Sequence, residues 1–90
     1  MNKKFEISVL RSTASALAGN VSGVYLLFNN QELVYVGEGW NCLLGVAEQT
    51  RKESQKQFTH WSCIPIESKS ERTAVKRELL IQHSPRFNKV

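Results

Sequence analysis

Gly23-Val24-Tyr25-Leu26-Leu27-Phe28, then Asn29-Asn30-Gln31, then Leu33-Val34-Tyr35-Val36-Gly37 is the stretch that decides the fold. Its outer pieces are β-branched and aromatic and its middle carries turn residues, so it reads as a β-hairpin. Side chains alternate along a strand with a period of two, and the loop length therefore sets which residues share a face. A three-residue turn pairs Phe28 with Glu32 and brings Tyr25 directly opposite Tyr35. A two-residue loop puts the two tyrosines on opposite faces. Register decides whether they share a site.

Downstream, Gly37-Glu38-Gly39-Trp40 breaks the strand. Asn41 is a good N-cap for a helix running through about Lys52, with Leu43, Leu44, Val46 and Ala47 as its apolar stripe. Gln57 to Ile66 reads as a third strand ended by Pro65. A capping box from Ser68 to Glu71 opens a second helix, whose buried face is Ala74, Val75, Leu79 and Leu80 and which runs to about His83 before Pro85 stops it. Upstream, Ser12 to Ala18 is rich in Ala and Ser and suits one or two helical turns, closed by Gly19-Asn20. The order hairpin, helix, strand, helix predicts an α+β fold: a three-stranded, mostly antiparallel sheet flanked by helices. There is no internal repeat.

Ninety residues, 41% of them hydrophobic, fit one domain over 1–90, with 1–21 as a lead-in. No apolar run approaches the ~18 residues of a spanning helix, and Met1 to Glu6 lacks the apolar stretch of a signal peptide. The expectation is a cytoplasmic chain with no membrane partner. Cys42 and Cys63 are too few and too isolated for a disulfide framework and are expected as free thiols.

The formal net charge of +4 is unevenly placed. Up to residue 68 the Lys and Arg balance the Glu. From 69 onward Lys69, Arg72, Lys76, Arg77, Arg86 and Lys89 stand against only Glu71 and Glu78. Such a segment suits a phosphate backbone, although a solvated helix face is the commoner cause of a basic run. No Asp occurs, so carboxylate chemistry must use Glu.

Gly23-Val24-Tyr25, ten residues before Tyr35-Val36-Gly37 and followed by helix, strand and helix, resembles the GIY-YIG nuclease family. Leu79-Leu80, Pro85 and Asn88 are similar to that family's ending, and the resemblance covers nearly the whole chain from about Ser22. It implies a sheet supporting one divalent cation (Mg or Mn) held by a Glu on the later helix, and phosphodiester hydrolysis assisted by the two tyrosines and by an Arg on the first helix. The chemistry needs those types: a carboxylate for the metal, a cation for transition-state charge, and phenols to orient water.

Two positions depart from that pattern. The family Arg lies eight residues after the second motif's Gly, which is Gly45 here. The family Glu lies nine residues before the Pro and twelve before the Asn, which is Lys76. The position after the second motif, often Lys in the family, is Glu38. Each departure also has a bland reading. The tyrosines can be hairpin packing, Gly45 a close backbone approach within a helix, and Lys76 a snorkelling surface lysine. A Lys in place of a Mg-bearing Glu keeps a +1 site, so a phosphate could be held there but not cut.

Relocated groups are the alternative. Glu38 beside Tyr35 is the better candidate carboxylate. Glu78 lies near 200° around the helix from Lys76 and faces away. For the lost cation, Arg51 is off the face of Gly45 and Lys52 is on it but about 10 Å further along, and an active metal-dependent endonuclease would need a relocated carboxylate and a relocated cation at once. His60 and Cys63, three apart on a strand, point to opposite faces and make no zinc pair. Cys42 lacks any nucleophile signature. Trp40 either stacks on a base or plugs the core, the plug being commoner.

The resulting expectation is a GIY-YIG-like domain that has lost catalysis and acts by binding. One candidate partner is DNA, through Lys69, Arg72, Lys76, Arg77, Arg86 and Lys89, with Trp40, Tyr25 and Tyr35 at a vestigial site. The other is a nuclease or DNA-processing protein that it pairs with or inhibits. No cofactor is expected unless the chain is active.

Overall fold

A computed structural model describes residues 21–51 and 56–88. Its elements are β1 (Gly23–Asn29), β2 (Glu32–Gly39), α1 (Cys42–Gln49), β3 (His60–Pro65) and α2 (Lys69–His83), followed by a 3₁₀ turn (Arg86–Asn88). The strands form one antiparallel sheet in the order β2-β1-β3. The α+β expectation holds. The expected helix over Ser12 to Ala18 lies outside the described residues, as does Lys89.

β1 is the central strand, and its run of apolar residues on both faces is the reason: from Gly23 to Phe28 every residue is buried. Val24, Leu26, Phe28, Leu33, Val36 and Leu79 form one core cluster, under α2. Tyr25, Leu27, Val34, Cys42, Val46 and Cys63 form the other, under α1. Among the described residues no helix is long and apolar enough to cross a membrane.

The hairpin resolves its register by a route that neither simple turn allowed. Asn29 pairs with Glu32, so the loop is the two residues Asn30-Gln31, with Asn30 at φ 57°. That loop alone would separate the tyrosines. A β-bulge then shifts the pairing between Leu27 and Phe28: Phe28 pairs with Leu33, but Leu27 pairs with Tyr35. The extra residue is Val34, and one inserted residue flips every later side chain to the other face. Tyr25 therefore pairs with Gly37, not with Tyr35, and the two tyrosines are diagonal neighbours on one face.

Helix ends follow local chemistry. Asn41 Oδ1 accepts from the Leu44 amide at 3.0 Å, and Ser68 Oγ accepts from the Glu71 amide at 3.4 Å. α1 stops at Gln49 with Thr50 as its cap, shorter than the expected run to Lys52. α2 ends on Ser84 in the left-handed region, φ 44°. Past it, Asn88 reaches the outer edge of β2. Its Oδ1 accepts from the Val36 amide at 2.8 Å and its Nδ2 donates to the Val36 carbonyl at 3.0 Å. One side-chain amide thus serves as a short extra strand and blunts an open sheet edge.

Candidate functional site

The Tyr25 ring is held between two glycines. A Cβ at Gly37, the cross-strand partner, would overlap the ring's Cζ and hydroxyl. A Cβ at Gly45, on α1 above it, would stand 2.5 Å from Cε1 and 3.0 Å from Cζ. Gly45 is thus explained by packing, since any side chain there must displace the tyrosine. The close approach expected at Gly45 is therefore to a side chain, the Tyr25 ring, and not to another backbone.

Tyr25 and Tyr35 have ring centroids 6.1 Å apart, tilted by 38°, within the range of a favourable aromatic pair. Gln49 Nε2 on α1 donates to the Tyr25 hydroxyl at 3.5 Å. Lys56 Nζ lies 4.9 Å from the Tyr35 ring centroid, a cation–π contact. Burial, reinforced by the neighbouring Tyr35, pushes the Tyr25 phenol up to about 12. Tyr25 is consequently a neutral hydrogen-bonding group at pH 7, with less tendency to ionise than a phenol in water.

Glu38 follows Gly37 on the strand and so belongs to the opposite face of the sheet, where α2 begins. Arg72 Nε stands 3.8 Å from Glu38 Oε1, and Thr73 Oγ1 donates to Oε2 at 3.4 Å. The Arg72 guanidinium also donates through Nη1 to the carbonyls of Glu67 at 2.7 Å and Ile66 at 3.4 Å. Its side chain is only 11% exposed. The Glu38 carboxylate is therefore engaged by α2 and does not stand free beside Tyr35, as the sequence suggested.

A cleft of about 250 Å³ opens where the end of β2 meets α1, lined by Tyr25, Glu38, Trp40, Asn41, Leu44 and Glu48 beside Gly39 and Gly45. Trp40 is 71% exposed, so the expectation of a core plug is wrong. Among the described residues no group of three or more His, Cys, Asp or Glu could hold a metal ion.

The basic residues named from sequence do not converge on this cleft. Lys76 is half-buried on the stripe of α2 that includes Arg72 and Leu80, whereas Lys69 and Arg77 are exposed. α2 covers the Val24 face, not the Tyr25 face. Arg86 is paired at 3.6 Å with Glu32 at the start of β2. Glu78 accepts from Gln82 at 3.4 Å, one turn along its own helix. β2 thus returns two glutamates, Glu32 and Glu38, to the segment whose charge is positive in sequence.

Sequence reasoning missed Gln49, Glu48 and Lys56, whose roles arise only once α1 lies over the hairpin. It also read the cysteines as isolated. Cys42 at the start of α1 and Cys63 opposite Tyr25 on β3 are both buried free thiols in one cluster. A hydrogen bond between them, together with burial, pushes the Cys42 thiol up.

No family model matches the chain, and no curated protein matches it. Solved structures do. The magnesium-bound GIY-YIG N-terminal endonuclease domain of UvrC from Thermotoga maritima is similar at TM-score 0.69 and 17% identity, covering 97% of this chain and 100% of that one. A tyrosine-to-phenylalanine variant of that domain, bound to its catalytic divalent cation, gives TM-score 0.69 and 18% identity over 98% and 100% of the two chains. An asparagine-to-alanine variant gives 0.67 and 16%, over 94% and 97%. The likeness covers nearly the whole chain and establishes a GIY-YIG-like fold.

Proposed function

We propose that this GIY-YIG-like domain has lost the hydrolytic chemistry of the nucleases it resembles and acts by binding, as a partner or inhibitor of a DNA-processing protein. The observation that carries the reading is the filled space above Tyr25. The motif spacing puts the helper arginine of the family at Gly45, and a Cβ there would stand 2.5 Å from the Tyr25 ring. A cation introduced on that helix turn must first displace the motif's own tyrosine.

The UvrC domain binds a catalytic divalent cation. The residues present here do not fit one. The spacing puts Lys76 at the family's carboxylate position, and an ammonium repels a metal ion. Glu38, the nearest substitute, is already engaged by Arg72 and Thr73. A phenol pushed up to about 12 also makes Tyr25 a poor general base at neutral pH. Without hydrolysis, what the fold supplies is a shaped surface: a cleft with an exposed Trp40 at its mouth.

A DNA-binding reading is favoured by one feature, the exposed indole of Trp40, on which a base can stack. Against it, two of the six named cations, Arg72 and Arg86, are already paired with Glu38 and Glu32. A salt titration of binding to short duplexes separates the two readings. Phosphate contacts lose affinity steeply with salt, and Lys76→Ala with Arg77→Ala would flatten that slope by about one unit per lost contact. The protein-partner reading expects weak duplex binding that these substitutions leave unchanged.

The test of lost catalysis is direct. Purified protein with Mg²⁺ or Mn²⁺ should leave supercoiled, linear and branched DNA intact. Cleavage that survives repurification and disappears in Glu38→Ala would overturn the proposal.

A further inference from the structure

We infer that the cleft between β2 and α1 takes an arginine side chain presented by a protein partner. The inference rests on the binding reading above and names the chemistry that reading leaves open. The two carboxyl side chains lining the cleft are Glu38 and Glu48, and among the described residues no Lys or Arg lines it. Arg72 offsets Glu38 from behind, on the α2 side, whereas Glu48 is exposed on α1. A phosphate entering here would meet the Glu48 carboxyl, and none of the described lining residues is a cation to receive it. A guanidinium meets a carboxylate with which it can form charge-assisted hydrogen bonds.

The aromatic lining points to the same ligand. Trp40 stands 71% exposed at the mouth, and Tyr25 forms the floor. A planar guanidinium stacks on an indole face and is more weakly hydrated than an ammonium, so it gives up less on entering such a site. At about 250 Å³ the cleft is below the ~300–1,000 Å³ of typical small-molecule pockets and suits one side chain. Leu43 and Leu44 beside it are 49% and 48% exposed. With Trp40 they put three exposed large apolar side chains within five residues, a patch of the kind that marks an interaction site.

The experiment is an amide NMR titration of the full chain with the blocked tripeptide acetyl-Leu-Arg-Leu-amide, at physiological salt. The control is the same peptide carrying citrulline, a neutral isostere of arginine. Saturating shifts of the Trp40 indole N–H and of the Gly39, Gly45 and Glu48 amides are expected with arginine and not with citrulline. Glu48→Gln, a substitution on an exposed helix position, should weaken binding by about fivefold, and Trp40→Ala by a similar factor. Equal shifts with citrulline, or no shifts with the arginine peptide at tens of millimolar, would overturn the inference. So would inorganic phosphate moving the same resonances, since that assigns the cleft to phosphate. Plasmid cleavage is read separately, so loss of this inference and loss of the silent-domain reading are distinguishable.

Discussion

The two faces of the sheet carry different kinds of packing. On the α2 face, Val24, Leu26, Phe28, Val36 and Leu79 are aliphatic or aromatic residues packed into one fully buried cluster, and the openings on that side lie at the C-terminal end of α2. A fifteen-residue helix is long enough to cover them. On the α1 face an eight-residue helix sets its own Gly45 and Cys42 against a tyrosine pair, Gly37 and Cys63, and leaves a cleft at its N-terminal end. The difference teaches that the short helix is what makes a site available. A face that is fully covered stabilises, and a face that is half covered can bind.

The largest effect should come from the covered face. Leu79 is completely buried, and Leu79→Ala should cost ~2–5 kcal/mol in urea denaturation. Leu44→Ala, on the rim of the open face, should stay within ~0.5 kcal/mol. A similar cost for both would mean that α1 is covered by something the sheet comparison omits.

Next in size is the glycine pair of the open face. Gly45→Ala drives a Cβ into the Tyr25 ring and should destabilise by ~1–2 kcal/mol, against the ~1 kcal/mol that Ala would add in a free helix. Gly39→Ala, whose nearest neighbour would be the Asn41 amide nitrogen at 4.0 Å, should be close to neutral. Equal behaviour of the two in thermal unfolding would remove the packing explanation for Gly45.

The Tyr25 phenol gives a smaller, pH-resolved effect. Its folded value is about 12 and its ordinary value 10.0, so the folded state holds the proton more tightly than the unfolded chain. Its contribution is complete below pH 10 and is lost as pH rises through 12, amounting to about 1 kcal/mol by pH 11. Tyr25→Phe should flatten the stability profile between pH 10 and 12. An unchanged profile would mean that the ring is not desolvated.

The smallest effect should be at the exposed pair between Arg86 and Glu32, whose side chains are half exposed. Arg86→Ala should change stability by ~0–0.5 kcal/mol, and the change should shrink further in high salt. A larger, salt-independent loss would give the edge of β2 a role like that of the covered face.

Much of this architecture is local and was legible without coordinates. Alternating β-branched and aromatic residues around Asn29-Asn30-Gln31 specify a hairpin because strand periodicity and turn preference act over a few residues. Asn41 and Ser68 cap the helices because their side chains reach amides three positions on. The spacing of Tyr25 and Tyr35 identified the fold, and the departures at Gly45 and Lys76 were visible in the same alignment of motifs. The reason for Gly45 was not, because the Tyr25 ring comes from a different element twenty residues earlier.

What the sequence by itself determined is therefore the set of elements, their order and the residue types available to a site. The tertiary structure decided which of those residues meet. The bulge at Val34 restored the tyrosines to one face after a two-residue loop had separated them. Strand order put Cys63 against Cys42 and Tyr25. The pairing of Arg72 with Glu38 and of Arg86 with Glu32 mixed charges that lie apart in the chain. Trp40, large and apolar, ended in solvent at the N-terminal end of α1. The strand order and the ion pairs share one physical reason: each depends on a contact between residues distant in sequence, and local propensity carries no information about which distant partner will arrive.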